Sequence, residues 1–185
     1  MGTKFIDFNN PQNQLSQDCE LILMDTCSII KLVSGEKNAV DFAKFALNND
    51  IMLCYSVKSL EELNIISQSK NFPKRVKKIN INNEVAINQS LVDADNAIKI
   101  LNELPNVYPE PIGMIDSKVI EQIKNNSIKH KLRWGDATIY TQAKQNEIKY
   151  IWTYDQDWVN VDDDDMCILI EPRFIPNVIV SNDIT

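Results

Sequence analysis

The chain has one histidine, His130, and four cysteines, Cys19, Cys27, Cys54 and Cys167, none of them in a CxxC pair. That scarcity excludes a standard zinc knuckle. The scatter of the cysteines also argues against a disulfide framework. Cys54 and Cys167 lie in strand-like apolar runs and are expected to be small buried residues. No apolar run reaches the roughly 18 residues that a membrane-spanning helix needs. The first 20 residues are polar and carry Asp7, Asp18 and Glu20, unlike a signal peptide. The expectation is a cytoplasmic protein without a membrane partner. Positive charge is short as well: the formal net charge is -7, which weighs against a nucleic-acid partner.

Two features offset that charge. Asp162 to Asp165 form one acidic run, so four negative charges are local and read as a solvated loop. Other carboxylates, if they hold divalent cations, are neutralised in the working state. Basic residues also cluster, at Lys74-Arg75-Val76-Lys77-Lys78 and at Lys129-His130-Lys131-Leu132-Arg133. Each cluster fits either a solvated helix face or a nucleic-acid contact. In the second, Lys129, Lys131 and Arg133 are the candidate contacts.

With 185 residues, 44% hydrophobic and 24% charged, the chain suits one domain with a proper core. The apolar run Leu21-Ile22-Leu23-Met24 reads as a strand buried on both faces, as in parallel α/β sheets. Further strands are expected at 51–55, 150–153 and 167–170, with a short last one at 178–180. Helices are expected at 28–33, 37–47, 57–67, 91–101, 116–130 and 135–145. Ser56 is the expected N-cap of the third helix. In the second, Val40, Phe42, Ala43 and Leu47 fall on helical spacing; in the fifth, Val119, Ile120 and Ile123 share a face. Residues 68–88 are polar and leave helix and loop both open, and 103–111, with three prolines, is a connection. Alternating strands and helices predict a parallel sheet flanked by helices. Residues 1–20 read as an N-terminal extension, 21–185 as the domain, and 68–115 as an insertion within it.

Carboxylates recur at the carboxyl ends of these strands, where open α/β sheets bind ligands. Asp25 closes the first apolar run; it fits equally well as the N-cap of the following helix. Asp155 and Asp157 follow the strand 150–153, where turn chemistry is the plainer explanation for each alone. Asp136 begins a helix whose residues three, four and seven positions on are Ile139, Tyr140 and Ala143. It therefore heads an apolar face, where an unpartnered carboxylate is costly; the bland reading is an acid complementing the helix dipole. Glu61 and Glu62 follow the second strand, and periodicity does not say which points inward. Converging like charges destabilise a fold and raise carboxylate pKa values unless cations join them. Hard oxygen donors without Cys or His select Mg²⁺ or Mn²⁺. Two such ions roughly 4 Å apart clamp the attacking and leaving oxygens of a phosphodiester, and one polarises the phosphoryl group. No Ser–His or Cys–His nucleophile is then required.

Four segments, 21–28, Ser56-Val57-Lys58-Ser59-Leu60-Glu61-Glu62-Leu63, Gly135-Asp136-Ala137-Thr138-Ile139-Tyr140 and Thr153-Tyr154-Asp155-Gln156-Asp157-Trp158, resemble in type and order the PIN-domain ribonucleases. The likeness is greatest to the toxin nucleases of VapC-type toxin–antitoxin pairs. The resemblance implies a three-layer α/β/α sandwich around a parallel sheet of four to five strands. It also implies a metal-dependent endoribonuclease using Mg²⁺ or Mn²⁺, acting on RNA, with an antitoxin partner and pairing into a homodimer. By position Asp25, Glu62, Asp136 and Asp155 match the family's acidic quartet, with Asp157 a frequent fifth. The resemblance favours Glu62 over Glu61 because the family's acid directly precedes a Leu. Asp25 and Asp136 are then principal metal ligands and Glu62 a ligand or water-orienting base. Asp155 and Asp157 bind a second ion or act through water, with the hydroxyls of Ser28 and Thr153 in support. The insertion departs from the family's usual length and is assigned to partner recognition or to a helical clip over the RNA groove.

Three readings compete. A catalytically silent scaffold would keep the fold and bind protein or nucleic acid, but has little reason to keep five costly acids. A phosphotransfer receiver would want adjacent acids at the first strand end and a Lys after the last strand, and Cys19-Glu20 instead precedes the first strand. A haloacid-type phosphatase would want D-x-D there, and Cys27 fills the second position.

Overall fold

A computed structural model describes residues 2–67, 84–109, 111–113 and 115–175. Five parallel strands form one sheet: β1 (Lys4–Asp7), β2 (Leu21–Met24), β3 (Met52–Tyr55), β4 (Tyr150–Trp152) and β5 (Cys167–Ile170), in the order β1-β5-β4-β2-β3. Among the described residues six helices surround it: α1 (Thr26–Val33), α2 (Lys37–Asn48), α3 (Val57–Ser67), α4 (Glu84–Glu103), α5 (Ser117–His130) and α6 (Trp134–Gln145).

Both faces of the sheet are covered, which is why its strands are unbroken apolar runs. Ile22 and Met24 of β2, Leu53 and Tyr55 of β3 and Trp152 of β4 pack with residues of α1, α2, α3 and α4. Their neighbours Leu23, Cys54 and Ile151 point the other way, into a second core with α5 and α6. The period of two along each strand thus divides the molecule into helix, sheet and helix layers. This is the three-layer α/β/α sandwich.

The expected strands and helices that fall on described residues are present, with bounds shifted by a residue or two, and α4 begins seven residues before the expected 91. Four expectations need correction. The first 20 residues are not a bare extension: β1 pairs with β5, and Ile6 and Phe8 are fully buried in the main core. In α2 the buried residues are Ala39, Phe42, Ala43 and Ala46, whereas Leu47 is exposed. In α5 Ile120 is exposed while Val119 and Ile123 are buried. Cys54 is buried as expected, but Cys167, at the start of β5, is only half-buried. The cluster 74–78, the last expected strand at 178–180 and most of the undecided stretch 68–88 lie outside the described residues.

The proline-rich connection also guards an edge. Leu53 N donates to Asn106 O (2.7 Å), Tyr108 N to Leu53 O (2.8 Å) and Ile112 N to Tyr55 O (2.9 Å). Backbone that β3 would otherwise leave unpaired is thereby satisfied.

Candidate active site

From β2 the chain moves outward to β3, and later returns on the other side of β2 as β4. The crevice at the carboxyl ends of β2 and β4 is therefore a topological switch point, where open α/β sheets bind ligands. Asp25 stands there. Its amide donates to Trp152 O (3.0 Å), which binds it to the end of β4. One carboxylate oxygen, Oδ1, caps α1 by accepting from Thr26 N (2.6 Å), and the other, Oδ2, accepts from Thr153 Oγ1 (2.7 Å). Burial pushes its pKa up to about 7 against the pull of Thr153 and Thr26, and the charges of Glu62 and Asp155 add to the rise. The capping reading of Asp25 holds, and the capping carboxylate stands in the crevice that the sequence reading pointed to.

Thr153 relays this contact into the next loop. Its hydroxyl also accepts from Asp155 N (2.9 Å), and Asp155 Oδ1 in turn accepts from Asp157 N (2.9 Å). Each side chain holds the amide two residues on, the local turn chemistry of Thr and Asp, and the two loop acids are fixed by it. Ser28, fully buried, donates to Trp152 O (2.7 Å). Its hydroxyl thus ties α1 to β4 rather than bonding to a carboxylate.

Asp136 comes from the first turn of α6 and is 9% exposed. The expected inward orientation holds, and for a broader reason than one apolar face: residues 136–143 are all buried. Burial raises the Asp136 pKa to about 7, with the charges of Asp25, Asp155, Glu62 and Asp157 adding in that order. Asp136 thus feels the other four acids that the sequence nominated.

Glu62 is the glutamate turned inward. Its Oε2 accepts from Thr26 Oγ1 (2.8 Å), and Oε1 lies so near Gly135 that a β-carbon there would sit 1.9 Å from it. Glu61, by contrast, is a surface residue with 57% of its side chain exposed.

Among the described residues, Asp136, Asp155 and Asp157 each offer a carboxylate oxygen, and the three atoms lie within 4.8 Å of one another. A hard divalent cation fits such a set: oxygen donors only, negative in sum, and close enough to converge on one ion. Asp25 and Glu62 flank the trio, each already held by hydroxyl or amide donors.

The three basic candidates are not gathered in one place. Arg133, the residue before α6, reaches the acids, with Nε 3.2 Å from Asp157 Oδ2. Lys129 lines a groove of about 640 Å³ between α5 and α6, with Asn126, Thr141, Lys144 and Asp163. Lys131 is exposed and takes the left-handed conformation that ends α5 (φ 53°). The acidic run is only partly solvated: Asp163 accepts from the Tyr140 hydroxyl and pairs with Lys144 (2.9 Å).

Three participants escaped sequence reading. Thr26 was hidden beside Asp25 in the same motif. Gly135, an isolated glycine in a helical stretch, carries a stability cost there, and that cost was its one signal. Lys58 stands three and four residues before the two glutamates, the spacing of ion pairs on a helix. Cys27 also adjoins the acids; burial, reinforced by the charges of Asp25, Asp155, Asp136 and Glu62, pushes its thiol pKa up and keeps it protonated.

No curated protein matches this chain in sequence. Among solved structures, VapC20 of Mycobacterium tuberculosis, a toxin that cleaves the sarcin-ricin loop, is similar with 16% identity and a TM-score of 0.46, over 77% of this chain and 99% of that one. FitAcB of Neisseria gonorrhoeae is similar with 17% identity and a TM-score of 0.47, over 80% and 96%. The model of the PIN domain matches residues 22–164, which takes in β2 through the acidic run and with them all five site acids, so the chain belongs to the PIN domain family.

Proposed function

We propose that this protein is a metal-dependent endoribonuclease that hydrolyses RNA phosphodiester bonds with Mg²⁺ or Mn²⁺. The observation that carries the reading is the convergence of Asp136, Asp155 and Asp157 on one point within 4.8 Å, beside Asp25 and Glu62, in a PIN domain. Asp136, Asp155 and Asp157 would hold the ion, with Asp25 next to them. The ion supplies Lewis-acid polarisation of the phosphodiester and offsets the charge that develops on it. Glu62, its Oε2 fixed by Thr26, orients the attacking water through Oε1. Thr153 keeps Asp25 and Asp155 in register, and Arg133, at the rim beside Asp157, meets the RNA backbone. Lys129 and Lys131 lie apart from that contact, on the end of α5 and the turn after it, and would meet RNA only where it runs beyond the crevice.

The same reading makes the protein the toxin of a toxin–antitoxin pair or a defence effector, working in the cytoplasm. An antitoxin partner and a homodimer belong to it. These rest on the likeness of the four motifs to the toxin nucleases. No helix of the described residues is long and apolar enough to cross a membrane.

The test is hydrolysis of a labelled single-stranded RNA by purified protein. Cleavage should require added Mg²⁺ or Mn²⁺, stop with chelator and be lost in Asp136→Asn. Cleavage that persists in chelator with a clean preparation overturns the reading. An RNA-inert protein whose melting temperature ignores millimolar Mn²⁺ points instead to a silent scaffold.

A further inference from the structure

Five carboxylates share the crevice, yet among the described residues two cations already approach them, and the two differ in kind. Arg133 is a surface cation: its side chain is 80% exposed, and its partner Asp157 belongs to the trio that converges. Ions or phosphates displace such a contact at little cost. Lys58 is not displaceable in that way. Its side chain is only 12% exposed, with Nζ 3.1 Å from Glu61 Oε2 and 3.9 Å from Glu62 Oε1. Its stem runs beside the start of α6, with Cε 3.6 Å from where a β-carbon on Gly135 would stand. Glu62 therefore has Oε2 held by a hydrogen bond from Thr26, while Oε1 lies within ion-pair distance of Lys58 but makes no hydrogen bond to it, and it is not among the three acids whose oxygens converge.

We propose that Lys58 is a resident counter-cation and positioning residue, which holds Glu62 back from metal ligation and leaves the site one divalent-ion position, at Asp136, Asp155 and Asp157, rather than two. The proposal rests on the nuclease reading and refines it. A second divalent ion that took Glu62 as a ligand would have to approach the Lys58 ammonium, 3.9 Å from Glu62 Oε1 and only 12% exposed. Like charges brought together beside a half-buried group repel more strongly than in open water. The lysine thus does the electrostatic work of a second ion without being able to leave, and it fixes the carboxylate that orients water.

The experiment is a titration of the full-length, metal-stripped protein with Mn²⁺ alone, read by calorimetry and by the electron spin resonance of free Mn²⁺. The wild type should bind one equivalent. Lys58→Met, close in length and without charge, should release Glu62 and admit a second equivalent. Lys58→Arg should remain at one. Glu62→Gln, whose amide oxygen keeps the Thr26 bond, should also remain at one, and it serves if Lys58→Met fails to fold. Two equivalents in the wild type overturn the proposal and leave the nuclease reading standing, as does a folded Lys58→Met that stays at one. Loss of the single equivalent in Glu62→Gln overturns it too, by making Glu62 a ligand. A wild type that binds no Mn²⁺ removes the metal-dependent nuclease reading, and this inference with it.

Discussion

Thr153 donates to Asp25 Oδ2 and receives the amide of Asp155, so one hydroxyl serves two carboxylates. Thr153→Val keeps the shape and removes both bonds, leaving a buried oxygen of Asp25 without its donor. The expected loss of stability is about 1–3 kcal/mol, the penalty for a buried group left unsatisfied, measured by urea unfolding. The same bond pulls the Asp25 pKa down, so its removal should move the acid limb of the pH–rate profile to higher pH. The metal-free wild type has its own pH signature. Asp25 and Asp136 stand at about 7 in the folded protein against 3.8 ordinarily. Between those values the folded chain binds more protons than the unfolded one, and stability falls as pH rises. Melting of chelated protein should therefore occur at lower temperature at pH 7.5 than at pH 5, and saturating Mn²⁺ should reverse the order. A chelated protein equally stable at both values would contradict the burial of these two acids. Asp25 and Asp136 were legible as acids at a strand end and a helix start, because local pattern marks both. The choice between Glu61 and Glu62 was not legible from the helix itself, since both have apolar neighbours. A glycine on a different helix settles it.

That glycine gives the test at the scale of elements. Replacing a helical Gly by Ala ordinarily stabilises by about 0.5–1 kcal/mol. At Gly135 the new methyl would meet Glu62 Oε1 at 1.9 Å, the far end of a flexible side chain that can swing aside. Gly135→Ala should therefore fold with unchanged or slightly higher stability while Glu62 is displaced. A misplacement of this size costs on the order of a hundredfold in rate, so activity should collapse without any loss of structure. Circular dichroism melts paired with RNA cleavage check it; full activity in Gly135→Ala would mean that Glu62 does not work where it stands. The elements themselves were readable where burial on both faces wrote continuous apolar runs, as in β2 and β5, or where a cap marked the start, as Ser56 does for α3, its Oγ accepting from Ser59 N at 3.0 Å. β1 was not readable. Lys4-Phe5-Ile6-Asp7 is four residues with charged ends in a polar stretch, and its strand state comes from pairing with β5 at the far end of the chain. Similarly, α6 showed an apolar stripe in sequence, whereas the structure encloses it nearly all round with sheet, α3 and α5.

For the molecule as a whole, β1 raises the question of where the folding unit begins. The family match starts at residue 22, and sequence reading set the domain at Leu21. The structure ties the preceding segment into the core instead. Phe8 is 1% exposed and meets Tyr154, Trp152 and Phe42 at ring-centroid distances of 4.8, 6.0 and 6.0 Å. Ile6 is fully buried beside it. Removing one such aromatic costs about 3–5 kcal/mol, a large share of the 5–15 kcal/mol that typically stabilises a domain. Phe8→Ala should thus still unfold cooperatively in urea but with a markedly lower midpoint. A chain shortened to begin at Leu21 loses Ile6, Phe8 and the hydrogen bonds of β1 together, and it uncovers the edge of β5. Loss on that scale consumes the whole margin, so the shortened chain should show no cooperative transition and should aggregate through the bared strand. If it instead unfolds in a single sharp step with a near-native midpoint, then Ile6 and Phe8 pack on a core that is complete without them, and residues 1–20 are an extension after all.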